Sequence, residues 1–281
     1  MLLLALSSIG TDAMTAARSS YSGGGLDMNR EAMPIHIDYM RTAASNVILI
    51  GESAGADWIL IDAGMPGFAA AIAGKAAELF AGRAPLAIVL THGHFDHVGS
   101  LPGLLRRWDV PVYAHKHELP FLTGKADYPA SVLVGGSGLL SRIVPRHPHK
   151  GIDLGEQVLA LPPDGSVPGL PEWRWIATPG HSKGHVSLFR EDDRTLIAGD
   201  AILSVKPEAA FTVLAREEEV HGPPEPFTDD WNRAGESVQK LARLKPEALF
   251  CGHGLPMAGV ALRDSLERFA ANGLPCGSSS D

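Results

Sequence analysis

Leu90-Thr91-His92-Gly93-His94-Phe95-Asp96-His97 is the stretch from which the rest of the chain is read. It closes the apolar run Leu86 to Leu90, which predicts a short buried strand. Four side chains able to hold a metal, His92, His94, Asp96 and His97, then fall within six residues. In extended backbone, residues i and i+2 point the same way, so His92 and His94 can grip one ion together. Asp96 and His97 stand just beyond, where a helix reaching Trp108 is expected to start, and can face a second ion. Imidazole nitrogen and carboxylate oxygen are the donors that zinc and related cations take. An isolated His-x-His is usually chance. Four donors directly after a buried strand are not, because loops at strand ends are where functional groups collect.

The same grammar recurs three times downstream. Thr178-Pro179-Gly180-His181 follows the strand expected at Trp173 to Thr178, and offers a third nitrogen to the ion held by His92 and His94. Ala198-Gly199-Asp200 ends another strand and places a carboxylate able to bridge two ions. Cys251-Gly252-His253-Gly254 ends a third and brings His253 to the second ion beside Asp96 and His97. Any one of these is ordinary turn chemistry. Their shared context, an apolar strand, then Gly, then a donor, predicts a two-metal site with its ions about 3.5–4 Å apart. Two divalent cations are therefore expected, zinc first, with iron or manganese as substitutes.

Taken together, His92-x-His94-x-Asp96-His97, Thr178-Pro179-Gly180-His181, Gly199-Asp200 and Gly252-His253 resemble the metallo-β-lactamase fold superfamily. The resemblance runs from about residue 34 to residue 271. It implies an α/β fold, a four-layer αβ/βα sandwich of two mixed β-sheets flanked by helices, with the metals in a groove at one sheet edge. It further implies that Asp62, in Ile61-Asp62-Ala63-Gly64, supports the metal loop by hydrogen bonds instead of binding metal. His185, four residues after His181, is similar to an outer partner that orients the ligand loop.

The remaining elements agree with such a sandwich. Strands are predicted at Pro34 to Met40, Asn46 to Gly51, Asp57 to Asp62, Pro111 to Ala114, Gln157 to Leu161, Val186 to Arg190, Thr195 to Ala198 and Ala248 to Cys251. Helices are predicted at Phe68 to Gly82, His115 to Thr123, Asp229 to Leu244 and Val260 to Ala271. Residues 125–150 and 201–227 read as irregular excursions, with Phe95, Phe211, His221 and Phe227 as candidate substrate contacts. Residues 1–30 read as a flexible arm, 31–272 as the catalytic domain and 273–281 as a flexible tail.

Composition narrows the partners. With 45% hydrophobic and 20% charged residues the chain can bury a substantial core. A net charge of -8 without any basic stripe argues against nucleic acid. No run approaches the ~20 apolar residues of a membrane span. Met1 to Leu6 is apolar but lacks a basic start, and Ser7-Ser8 breaks it, so a cytoplasmic protein is expected rather than a secreted one. Two cysteines are too few for a disulfide framework. A small-molecule substrate is the expected partner, and homodimerisation is left open.

Two cations would lower the pKa of a water between them toward neutrality, giving a hydroxide that attacks a carbonyl or phosphoryl centre. Asp96 and Asp200 would balance the metal charge and pass a proton to the leaving group. Within the family resembled, di-zinc β-lactamases generally lack an Asp where Asp200 stands, which leaves β-lactam hydrolysis as a side activity. The pattern is most similar to glyoxalase II-like hydrolases, which include thioesterases and lactonases. Only Arg263 and Arg268 follow His253, a weak match to a glutathione-holding set, and no Tyr follows Asp200 as in quorum-sensing lactonases. The expectation is a dinuclear hydrolase of a small ester, thioester or lactone. The alternative is a mononuclear iron enzyme of the persulfide dioxygenase kind.

Overall fold

The computed structural model describes residues 34, 36–51, 57–129, 149–206, 219–224 and 227–272. The arm at 1–30, the tail at 273–281 and Phe211 lie outside these. The first half runs β1 (Ile37–Thr42), β2 (Ser45–Gly51), β3 (Trp58–Ile61), α1 (Ala69–Phe80), β4 (Ala87–Val89), α2 (Phe95–Val98), α3 (Leu101–Leu105), β5 (Val112–Ala114), α4 (Leu119–Leu122) and β6 (Val158–Ala160). The second runs β7 (Ser166–Val167), β8 (Leu170–Ala177), β9 (Val186–Arg190), β10 (Thr195–Gly199), α5 (Trp231–Arg243), β11 (Ala248–Cys251), β12 (Met257–Ala258) and α6 (Gly259–Asn272).

Two six-stranded sheets result, ordered β1-β2-β3-β4-β5-β6 and β12-β11-β10-β9-β8-β7. Both are mixed. In the first, β1 to β3 pair antiparallel and β3 to β6 parallel. In the second, only β10 and β11 pair parallel. Strands β2, β3, β4, β10 and β11 are buried along almost their whole length, which is why they read as continuous apolar runs and not as alternating ones. Such strands need a cover on both faces.

Helices supply the outer covers. Ile72, Ala73, Ala76 and Phe80 form one stripe of α1 and pack with Leu49, Leu60, Ile88 and Leu104 of the first half. Trp58 anchors that layer, stacked on Phe80 at 4.5 Å and edge-on to Trp108 at 5.5 Å. On the other sheet, Val238 and Leu241 of α5 and Leu262 and Leu266 of α6 pack against Phe189, Leu196 and Leu249. Asp230 caps α5 by accepting the Arg233 N–H at 3.0 Å, and Lys240 and Arg243 stand in its last turn, where cations suit the helix dipole.

Two expected helices are shorter than their sequence patterns. The one reaching toward Trp108 is split into α2 and α3, because Pro102 has no N–H to give the Val98 carbonyl. The one expected from His115 is reduced to α4, since Pro120 likewise cannot bond back to residue 116; a turn closed by Glu118 N–H to His115 O, 2.8 Å, precedes it. The two-residue strands β7 and β12 are too short to carry any period. Across the described residues, no helix is long and apolar enough to cross a membrane.

Candidate metal centre

The four ligand-bearing strand ends meet at one edge of the sandwich, where the two sheets are stitched together. Ser45 of β2 pairs with His253 beyond β11, and Asn46 Nδ2 donates to both Cys251 O and Gly254 O at 2.9 Å. The Val186 N–H of β9 donates to Thr91 O at 2.9 Å, tying the second sheet to the first ligand loop. Ser45 Oγ reaches that same loop, donating to Asp96 O at 2.5 Å.

All seven donors read from the sequence come together here, every one of them buried. His92, His94 and His181 form one group: His181 Nε2 lies 3.2 Å from His92 Nε2 and 2.9 Å from His94 Nδ1. Asp96, His97 and His253 form a second, with Asp96 Oδ2 3.2 Å from His253 Nε2 and 3.7 Å from His97 Nε2. Asp200 stands between them. Its Oδ2 is 3.4 Å from His181 Nε2 and 3.2 Å from His253 Nε2, while its Oδ1 is 3.4 Å from His97 Nε2.

Outer hydrogen bonds decide which nitrogen each ring turns inward. Thr91 Oγ1 donates to Asp62 Oδ2 at 2.8 Å, so it accepts from His92 Nδ1 at 3.0 Å. Asp62 Oδ2 also accepts from His97 Nδ1 at 2.8 Å, and its Oδ1 accepts the Thr91 N–H. His253 Nδ1 donates to Ala44 O at 3.2 Å, and His181 Nδ1 lies 3.4 Å from Thr228 Oγ1. Four imidazoles thereby present Nε2 to the centre, and His94 presents Nδ1. His185 accepts the Asp200 backbone N–H on Nε2 at 2.9 Å and faces Thr178 Oγ1 through Nδ1 at 2.8 Å. Its contact is thus with the backbone of Asp200.

The electrostatics differ between the halves. Burial pushes His92 and His181 well below the usual imidazole range and His94 down to about 4, so their lone pairs are available. Burial acts the same way on His97 and His253, but the Asp200 and Asp96 carboxylates outweigh it, holding His97 well above its ordinary value and His253 at about 10. Burial would raise Asp200, yet His253 and His97 keep its carboxyl well below the usual range. Positive charge is thus already drawn to the carboxylate-rich half.

These residues fit divalent cations. Tetrahedral zinc with ~2.1 Å bonds sets its ligand atoms about 3.4 Å apart, close to the separations of the three-histidine group. His97 Nε2 and Asp200 Oδ1 are buried and make no hydrogen bond, the state a bound cation resolves. Gly252 keeps room for this: a Cβ there would collide with Asp200 Oδ1 and come within 2.7 Å of His97 Cε1.

The candidate substrate contacts separate. Phe95 and Phe227 lie 6.1 Å apart between ring centres, with Phe227 5.8 Å from His94, and Ala44, Met65 and Phe68 pack with them as one apolar wall. His221 is held by backbone pairing with Leu203 and is not among the donor groups. The sequence reading missed Tyr128, which packs edge-on against His94 at 4.6 Å, and Glu118, which bonds to both ligand loops. A Tyr does stand beside the centre, but it comes before Asp200 in the chain. Tyr128 sits in an irregular segment with no period and Glu118 at the head of a short helix whose pattern does not single it out; the sequence signal was the pair of glycines, Gly93 and Gly184, that they pack against.

Comparison with known proteins identifies the family. Residues 40–253 match the family model of the metallo-beta-lactamase superfamily. The chain is 51% identical over 214 residues to the "Probable metallo-hydrolase YflN" of Bacillus subtilis, covering 76% of this chain and 81% of that one. It is 27% identical over 234 residues to a hydroxyacylglutathione hydrolase of Hamiltonella defensa, covering 83% and 70%. A solved structure, TTHA1623 in a di-iron-bound form, is 25% identical with a TM-score of 0.53 over 82% of this chain and 96% of that one. The chain belongs to the metallo-beta-lactamase superfamily.

Proposed function

We propose that this protein is a dinuclear metal-dependent hydrolase acting on a small ester, thioester or lactone. The observation that carries the reading is Asp200, whose carboxylate stands within 3.4 Å of His181 on one side and of His97 and His253 on the other. When bound, two divalent ions would supply a Lewis acid and a water acidic enough to be hydroxide near neutral pH.

The chain's own residues do the rest. His92, His94 and His181 would hold one ion and Asp96, His97 and His253 the other, with Asp200 shared and offsetting their mutual repulsion. Asp96 and Asp200 are the carboxylates placed to take up and return a proton during acyl transfer. The wall of Phe95, Phe227 and Met65 beside His94 suits an apolar acyl or ring portion of the substrate. Thioester chemistry gains support from the hydroxyacylglutathione hydrolase relative, and iron as an alternative to zinc from the di-iron-bound neighbour.

Elemental analysis at saturating metal, combined with a panel of esters, thioesters and lactones, tests the reading. Two ions per chain and chelator-sensitive hydrolysis of at least one compound are expected. One ion per chain with oxygen consumption on a persulfide would replace it with the single-iron oxygenase reading.

A further inference from the structure

We infer that Glu118 is a positioning residue for the three-histidine half of the metal centre, acting by clamping the loop of His92 and His94 to the loop of His181. The inference rests on the metal-centre reading above.

Glu118 is fully buried at the start of α4 and is no donor to either group. Its four hydrogen bonds are divided evenly between its oxygens. Oε2 accepts the Gly93 N–H at 2.9 Å and the Tyr128 hydroxyl. Oε1 accepts the Ser182 hydroxyl at 2.8 Å and the Gly184 N–H at 2.7 Å. Gly93 lies between His92 and His94, Ser182 follows His181, and the Tyr128 ring packs on His94. Three donors thus come from the two ligand loops and the fourth from a side chain resting on a ligand.

The packing is built for this contact. A Cβ on Gly184 would come within 2.6 Å of Glu118 Oε1, and one on Gly93 would collide with the Tyr128 hydroxyl. A group that only filled space here would not need a charge, since burying a carboxylate is costly unless its lone pairs are satisfied. Here they all are. The three-histidine group contains no carboxylate of its own, and the negative charge nearest His94 comes from Asp96 and Asp200; what Glu118 adds is the four hydrogen bonds.

The two halves are separable on this account. The second is oriented by Asp62, Ala44 and Ser45, none of which bonds to Glu118, while Asp62 reaches the first only at His92, through Thr91. Glu118→Gln keeps the shape, but its amide NH2 would face two donors. It should weaken one ion and spare the other.

The test is a titration of metal-free protein with Co2+ against a competing chelator, reading both dissociation constants and the visible absorption of bound cobalt. Glu118→Gln should weaken one step by about 10- to 100-fold, the usual effect of an outer partner, and alter its cobalt spectrum. In a His253→Ala background the weakening should persist. In a His94→Ala background, where the three-histidine group is already broken, it should vanish. Equal weakening in both backgrounds, or none in either, overturns the inference. Should Glu118→Gln fail to fold, Ser182→Ala removes one donor and keeps the charge; the same pattern at smaller size supports the inference, and its absence overturns it. Wild-type protein that takes a single ion would overturn the two-ion reading instead. Glu118 is then judged on that ion, weakened in support or unchanged against.

Discussion

His97 Nδ1 donates to Asp62 Oδ2 across 2.8 Å, with both side chains buried. Asp62 follows β3 in a left-handed conformation, φ 59°, which Asp and Asn tolerate better than other residues with a side chain. The same carboxylate takes both donors of Thr91, so it steadies His97 directly and His92 through Thr91.

Asp62→Asn keeps the backbone preference and removes the charge. Its amide NH2 would meet donors from which the carboxylate now accepts, so it should weaken metal binding by about 10- to 100-fold and lower the thermal stability of the metal-free protein less than Asp62→Ala does. Asp62→Ala should do both, losing affinity and also stability. Chelator competition and thermal melts separate the two effects.

Asp200→Asn removes the one negative charge shared by both halves. Two divalent ions ~4 Å apart repel strongly even at an effective dielectric constant of 20. One ion should be lost, and turnover should drop by about 100-fold or more, beyond the usual range for an outer partner. A variant with full metal content and near-normal turnover would remove Asp200 from the bridging position.

His185→Ala tests a subtler link. The lost acceptor leaves the Asp200 N–H unsatisfied in a buried place. A loss of about 10- to 100-fold in metal affinity or activity is expected, with the fold intact by circular dichroism. Unchanged affinity and activity would reduce His185 to packing.

Gly252→Ala asks whether space alone matters. The added methyl would meet Asp200 and His97, while Gly252 has no left-handed backbone to strain. Metal content should fall and helical content should not. By contrast, Trp58→Ala, far from the ligands in sequence and central to the α1 layer, should cost about 3–5 kcal/mol of stability and leave the metal stoichiometry of the folded protein unchanged.

Phe227→Ala opens the apolar wall beside His94. On an acyl substrate with an apolar chain, KM should rise with little change in kcat, and a short-chain analogue should be less affected. A selective drop in kcat would mean that Phe227 positions the reacting group instead.

The candidate ligands that the fold brings together were legible because a local rule applies at their loops: an apolar strand ends, and a glycine and a donor stand close after it. That rule found Asp200 and His253 from a few residues each. Strands β9 and β11 were read at their observed bounds, and both are buried along their whole length. The supporting groups obey no local rule. Asn46 bonds to Cys251 from 205 positions away, and Glu118 earns its role from loops that precede and follow it by 25 and 66 positions. Helix lengths near the site were overread where Pro102 and Pro120 interrupt otherwise apolar patterns.

Each donor group draws on both sheets or on the seam between them. His92, His94, Asp96 and His97 come from the chain before the turn between β6 and β7, closed by Gly165 N–H to Pro162 O at 3.3 Å, and His181, Asp200 and His253 from the chain after it. A polypeptide severed at that turn would leave both fragments with incomplete coordination. Metal uptake would then be a reporter of reassembly, returning only when the two fragments recover their mutual registry.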